Sequence, residues 1–438
     1  MKSSPFFKSV SWLLLLNLLV KPVWIFGIDR QVQNVAGHEA YGRYFSILSL
    51  AVVLSFIADA GLTNMLNRQL ALGNGISLQR LVRLKGLLSL LYLALLFLVA
   101  LLTGVKNWNL VLLTGLLQVL TSFFIFSRNV ITGYQLFGKD AWLSVVDKTL
   151  MIVLGGLFLY TPLVHRFSIT AFLWLQAGCT LCALAIAWII TLRHHQENIT
   201  ESRDWRLLIK QAAPFVILIL LMGVHGRLDA FLLERIHTNG AYEAGVYASA
   251  YRLLDAGNTA GFLAASFLVP FAARHINDLG VIEKTVLRLR HGLLLIGIGT
   301  VAVVIVFAKL IMRWLYGAID VYHPTVLTLC IAVLPAYYLI HLYGSLLNAK
   351  GLFSRFIQVV FGSVILNIAL NLFLIPGYGA WGCCVAALVS QYTCGALCFV
   401  VATKAYRLSF EWLSIAGYLA AGCFITAGCY ALRHFIIG

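Results

Sequence analysis

The chain has 438 residues, of which 61% are hydrophobic and 11% charged, and its formal net charge is +16 at pH 7. Soluble domains carry about 25% charged residues, so this composition excludes a water-soluble fold. It also excludes an enzyme with a large catalytic lobe outside the membrane, because the longest polar connector runs only from about Arg193 to Lys210.

A membrane-crossing helix needs about 20 apolar residues. In chain order that rule predicts spans near 10–28, 42–66, 79–103, 108–131, 140–161, 168–192, 207–234, 242–272, 287–315, 324–347, 355–375, 380–403 and 412–435. The expected fold class is therefore all-α and polytopic, with about 13 spans. Residues 1–200 and 201–405 would form two six-helix lobes, and 406–438 one additional transmembrane helix. The N-terminus has a basic start and an apolar run but no small-x-small cleavage site, which predicts a retained first span. With that end inside, 20 of the 32 Lys and Arg fall on inner segments, 7 on outer ones and 5 within spans. Basic residues hold loops in the cytoplasm, so the bias predicts a cytoplasmic N-terminus and accounts for the positive charge without nucleic acid.

The nine cysteines all fall within predicted spans. Cys179-x-x-Cys182 has metal-like spacing, but no second pair is near, so these read as small packing residues.

Charges inside the apolar stretches are the informative feature. Lys21, Asp59, Lys148, Arg227, Asp229, Arg252 and Asp255 all lie well within predicted spans. Each costs roughly 2.5 to 3.5 kcal/mol at a helix centre, so such residues face a bundle interior or a watery cavity. A polar, largely cationic passage is the expectation. Arg252 and Asp255 are i and i+3 on one helical face, the spacing of a pair. Asp59 has Ser55 and Thr63 one turn to either side. Asp147 and Lys148 are neighbours expected to point apart, with Lys148 and Lys309 snorkelling toward water. Asn367 and Asn371 share one helical face, and His225 lies one turn before Asp229.

The text after the first span repeats after the seventh. Glu39-Ala40-Tyr41-Gly42-Arg43-Tyr44 echoes Glu243-Ala244-Gly245-Val246-Tyr247, with the Gly-x-Tyr pairs 203 residues apart. Six helices between copies leave both facing the same way. That is a parallel repeat about an axis along the membrane normal, with the substrate path between halves.

Three passages carry a family resemblance. One runs from Gly42-Arg43-Tyr44-Phe45 through Phe56-Ile57-Ala58-Asp59-Ala60-Gly61-Leu62 to Asn67-Arg68. Another is Arg227-Leu228-Asp229-Ala230-Phe231-Leu232-Leu233 with Gly245-Val246-Tyr247-Ala248-Ser249-Ala250-Tyr251-Arg252-Leu253. The most specific runs from Asn367-Ile368-Ala369-Leu370-Asn371 through Pro376-Gly377-Tyr378-Gly379 to Gly382. From about residue 5 to 405 the chain resembles the polysaccharide-transport branch of the MOP (multidrug/oligosaccharidyl-lipid/polysaccharide) superfamily, the Wzx-type O-antigen flippases.

The resemblance implies a flippase, not an enzyme, in the bacterial inner membrane. It would move an undecaprenyl-diphosphate-linked oligosaccharide between leaflets by alternating access, in contact with membrane lipids and with glycan polymerase machinery. It also implies that Lys21, Arg227 and Arg252 line the lateral cavity, where cations replace the hydration of a diphosphate. Sodium-binding relatives join an Asn pair to an acid on the seventh span and a hydroxyl on the twelfth. Asn367, Asn371 and Asp229 match, but the twelfth-span position falls near Ala387, which has no oxygen side chain. With His225 beside Asp229, Na+ and H+ both stay open as coupling ion. Asp59 is a further candidate, either as a counter-charge to a lumen cation or as the cap of a local kink. No Ser/His/Asp cluster, HExxH or Walker loop is present, so neither a catalytic residue nor a cofactor is expected. A multidrug or cation antiporter of the same superfamily would need an acid-dominated lumen. A peptidoglycan lipid-precursor flippase differs only in the sugar.

Overall fold

The computed structural model describes residues 16, 19–63, 66, 78–194, 205–317, 320–408 and 412–437, and among these the chain is helical with no strand. A π-helical stretch, Val23–Asp29, runs directly into α1 (Arg30–Asp59). Then come α2 (Leu78–Leu102), α3 (Trp108–Gly133), α4 (Phe137–Tyr160), α5 (Ile169–His194) and α6 (Trp205–Ile236). The second half holds α7 (Gly240–Arg274), α8 (Leu279–Tyr316), α9 (Tyr322–Ile331), α10 (Leu334–Ala349), α11 (Phe353–Tyr406) and α12 (Trp412–Ile437). Ten helices among the described residues are long and apolar enough to cross a membrane. The two longest are Leu19–Asp59 with 41 residues and α11 with 54, where about 20 suffice for one crossing. Both break at a glycine with positive φ: Gly37 (79°) and Gly379 (55°). The expected spans 355–375 and 380–403 fall on either side of Gly379. The family-like Asn67-Arg68 and most of the first expected span up to Val20 lie outside the described residues.

The boundaries follow local chemistry. Asn107 caps α3 by accepting from Leu110 N–H, and Asp278 caps α8 by accepting from Val281 N–H. Gly317 ends α8 in the left-handed region. The wide π-turn leaves the Gly27 carbonyl accessible, and the Tyr160 hydroxyl donates to it at 2.6 Å.

The chain divides into two compact units, Met1–Gly223 and Val224–Gly438, the boundary falling inside α6. In the first, α3 and α5 pack together around Phe124, Ile131, Leu143, Ala183 and Ala187. In the second, α10 is almost wholly buried and packs on α7 and α11. There α12 docks on α8, where Tyr418 Oη and His291 Nδ1 share a hydrogen bond of 2.7 Å and Arg433 donates to the Val306 carbonyl at 3.3 Å.

Two placements correct the sequence reading. Lys85, within the predicted span 79–103 but not among the charges singled out there, has a fully buried side chain inside α2. Its Nζ is 2.9 Å from Asp59 Oδ1 and within 5.7 and 5.4 Å of the Phe123 and Phe126 ring centroids. A buried ammonium requires such a partner. Lys148, expected to point away from its neighbour, instead meets Asp147 at 3.2 Å with its ammonium over the Trp24 ring at 5.2 Å. Flexible stems let adjacent residues fold back on one another.

Candidate functional site

Every described side chain of the predicted site falls into one of three groups. Lys21 and Asp59 belong to the first unit. Lys21 is exposed just before the π-helical stretch. Asp59 accepts from Thr63, one turn along, and its cation is Lys85. Ser55 donates instead to the Val52 carbonyl. Asp59 is thus committed to a partner inside its own unit rather than free to counter a lumen cation.

The second group surrounds Arg227 on α6. Its Nη2 donates to Asp255 Oδ2 at 3.2 Å, and its guanidinium carbon lies 5.2 Å from the Tyr251 ring centroid. Tyr251 is itself held, donating its hydroxyl to the Gly226 carbonyl at 2.8 Å. The Arg227 and Asp255 side chains are 27% and 31% exposed, so the pair is not sealed. This corrects the expected Arg252–Asp255 pair: the i,i+3 spacing is real, yet the carboxylate turns to the cation on α6. Arg252 is half-buried, one residue beyond Tyr251.

The third group is a buried polar chain in the same unit. Asn371 Nδ2 donates to Asp229 Oδ1 at 2.7 Å and lies 3.1 Å from Asn367 Oδ1. Asn367 Nδ2 donates to Ser390 Oγ at 3.2 Å, and His225 Nε2 meets the same oxygen at 3.2 Å. Gln391 Nε2 donates to the His225 carbonyl at 3.0 Å. Asp229, Asn367, Asn371, Ser390 and His225 are all buried, and Tyr247 on α7 faces the Asp229 carboxylate. Asn371 Oδ1 is buried with no hydrogen-bond partner. Ser390 corrects the register argument around Ala387: the hydroxyl is present one turn further along α11, where it also donates to the Ala387 carbonyl. Sequence spacing missed it because Gly379 breaks α11 and resets the helical phase.

Among the described residues no group of three or more His, Cys, Asp or Glu is placed to hold a metal ion, and all nine cysteines are free thiols. His341 meets Asn258 at 3.0 Å and His323 meets Asp320, so both have protein partners.

Solved structures share this architecture. The lipid II flippase MurJ in an inward closed conformation matches with TM-score 0.68 at 12% identity, over 97% of this chain and 100% of that one. An inward-facing multidrug resistance MATE family transporter of the MOP superfamily matches with TM-score 0.66 at 13% identity, over 87% and 94%. An outward-facing MATE transporter gives 0.58 at 15% identity, over 91% and 93%. The chain therefore shares the fold of these solved transporter and flippase structures. A search of curated proteins finds no match. The family model for polysaccharide biosynthesis proteins matches residues 6–275, more than half of the chain, and the chain belongs to that family.

Proposed function

We propose that this protein flips an undecaprenyl-diphosphate-linked oligosaccharide from the inner to the outer leaflet of a bacterial inner membrane, by alternating access. The observation that carries the reading is Arg227: a partly exposed guanidinium at membrane depth, steadied by an aromatic ring, in a chain of the polysaccharide biosynthesis family. A diphosphate leaving headgroup water needs donors that replace its hydration, and a planar guanidinium can offer two parallel N–H bonds. Lys21 and Arg252 are the further cations of the reading. A multidrug antiporter would take cationic substrates, which Arg227 opposes.

The buried chain around Asp229 supports coupling to a monovalent cation. Its described hydrogen-bonding neighbours are neutral, and a buried carboxylate without a counter-charge is costly. Asn371 Oδ1 lies unsatisfied beside it, and Asn367 and Ser390 add oxygens. A hard cation would satisfy carboxylate and amide oxygen together; a proton would satisfy only the first. Sodium is therefore the favoured ion.

Replacing Arg227 or Lys21 by Gln should abolish surface-glycan export while membrane abundance of the protein stays normal. Export that survives both changes overturns the assignment. Sodium should raise the unfolding temperature of the purified protein relative to N-methylglucamine, and Asp229→Asn should remove that rise. An unchanged sodium response in Asp229→Asn rules out this site.

A further inference from the structure

Arg227 is not a bare cation, and the way it is paired is informative. Its single contact with Asp255 is 3.2 Å long, where charge-assisted N–H···O bonds are usually about 2.7–2.9 Å. Elsewhere in the chain Arg128 grips Asp140 through two bonds of 2.7 and 3.1 Å. Arg227 and Asp255 make the looser arrangement, with both side chains partly open. The position of Arg227 does not hang on that contact, because Tyr251 supports the guanidinium from its face and is tied to the Gly226 carbonyl. Asp255 can leave without unseating the cation.

We infer that Asp255 is an internal stand-in for the cargo phosphate: it neutralises Arg227 while the carrier is empty and is displaced when the diphosphate arrives. This rests on the reading of Arg227 as the diphosphate grip. An empty carrier must change conformation with Arg227 at membrane depth, where an unpaired cation is costly. A weak, one-point anion on the same helix as Tyr251 meets that need. It also competes with every incoming phosphate, lowering affinity and hastening release. Asp255 is thus a positioning residue. Without it, cargo should bind more tightly and the empty carrier should return more slowly.

Binding of inorganic pyrophosphate to the full-length protein in detergent, by calorimetry, tests this. Asp255→Asn and Asp255→Ser should each bind about fivefold tighter than the unaltered protein, the weight of a partly exposed ion pair. Asp255→Glu, which keeps the charge, should bind as the unaltered protein does. In reconstituted vesicles, Asp255→Asn should lower both the apparent KM and the turnover of lipid-linked glycan flipping, a split that simple misfolding does not give. Arg227→Gln should lose pyrophosphate binding. If Arg227→Gln binds as before, the diphosphate reading itself falls. If it loses binding while neither Asp255 variant binds tighter, the stand-in role alone is overturned.

Discussion

At the residue scale, single hydroxyls and ammoniums hold the polar interior together. Ser390 serves His225 and Asn367 at once, and leaving a buried donor unmet costs about 1–3 kcal/mol. Ser390→Ala should lower stability by that amount in thermal unfolding and blunt the sodium response, with Ser390→Thr milder in both. Lys85 gives a sharper test. Breaking a buried pair by removing one partner costs about 3–5 kcal/mol, whereas replacing both by apolar residues is often neutral. Asp59→Asn should therefore destabilise strongly, and Asp59→Leu with Lys85→Met should recover most of the loss in the same assay. These residues also show where sequence reading reached its limit. Asp229, Asn367, Asn371 and His225 were legible because helical spacing puts polar groups on shared faces. The Lys85–Asp59 and Arg227–Asp255 pairs, 26 and 28 residues apart, were not, because periodicity says which face a residue occupies and nothing of the helix it meets.

At the element scale, the break in α11 has its own fastening. Gly379 takes φ 55°, and a Cβ there would fall 2.5 Å from Glu243 Oε2. That carboxylate oxygen accepts the Ala380 N–H at 2.8 Å and the Tyr322 hydroxyl at 2.5 Å. Glu243 on α7 thereby caps the helix restarting after Gly379, accepting a backbone N–H at its first turn. Gly379→Ala should cost about 1–3 kcal/mol from backbone strain, more once Glu243 is pushed aside. Glu243→Gln, whose amide oxygen can still accept, should cost less than Gly379→Ala in thermal unfolding; the opposite order would assign the strain elsewhere. Pro376 and the glycines around it marked this turn in the sequence. Its acceptor, 137 residues upstream, left no local mark.

At the scale of the whole molecule, apolar length alone gave the fold class, because backbone polar groups in lipid leave helices as the natural solution for such a chain. The boundary between the two units was less legible: Gly223 sits inside one continuous helix, α6, where no composition shift flags it. Orientation is open to direct measurement. Single cysteines placed at Lys106 and Gly138 in a cysteine-free background should differ: the first labelled by an impermeant maleimide in intact cells, the second only after permeabilisation. The reverse pattern would overturn the cytoplasmic N-terminus read from the Lys and Arg bias. The pairing of Asp59 with Lys85 also reaches back to biosynthesis. A ribosome delivers the acid 26 residues before the base that will neutralise it, so the nascent chain must shelter a lone carboxylate until α2 emerges. Insertion of α1 and α2 as one hairpin, not as two successive helices, is the order that this geometry favours.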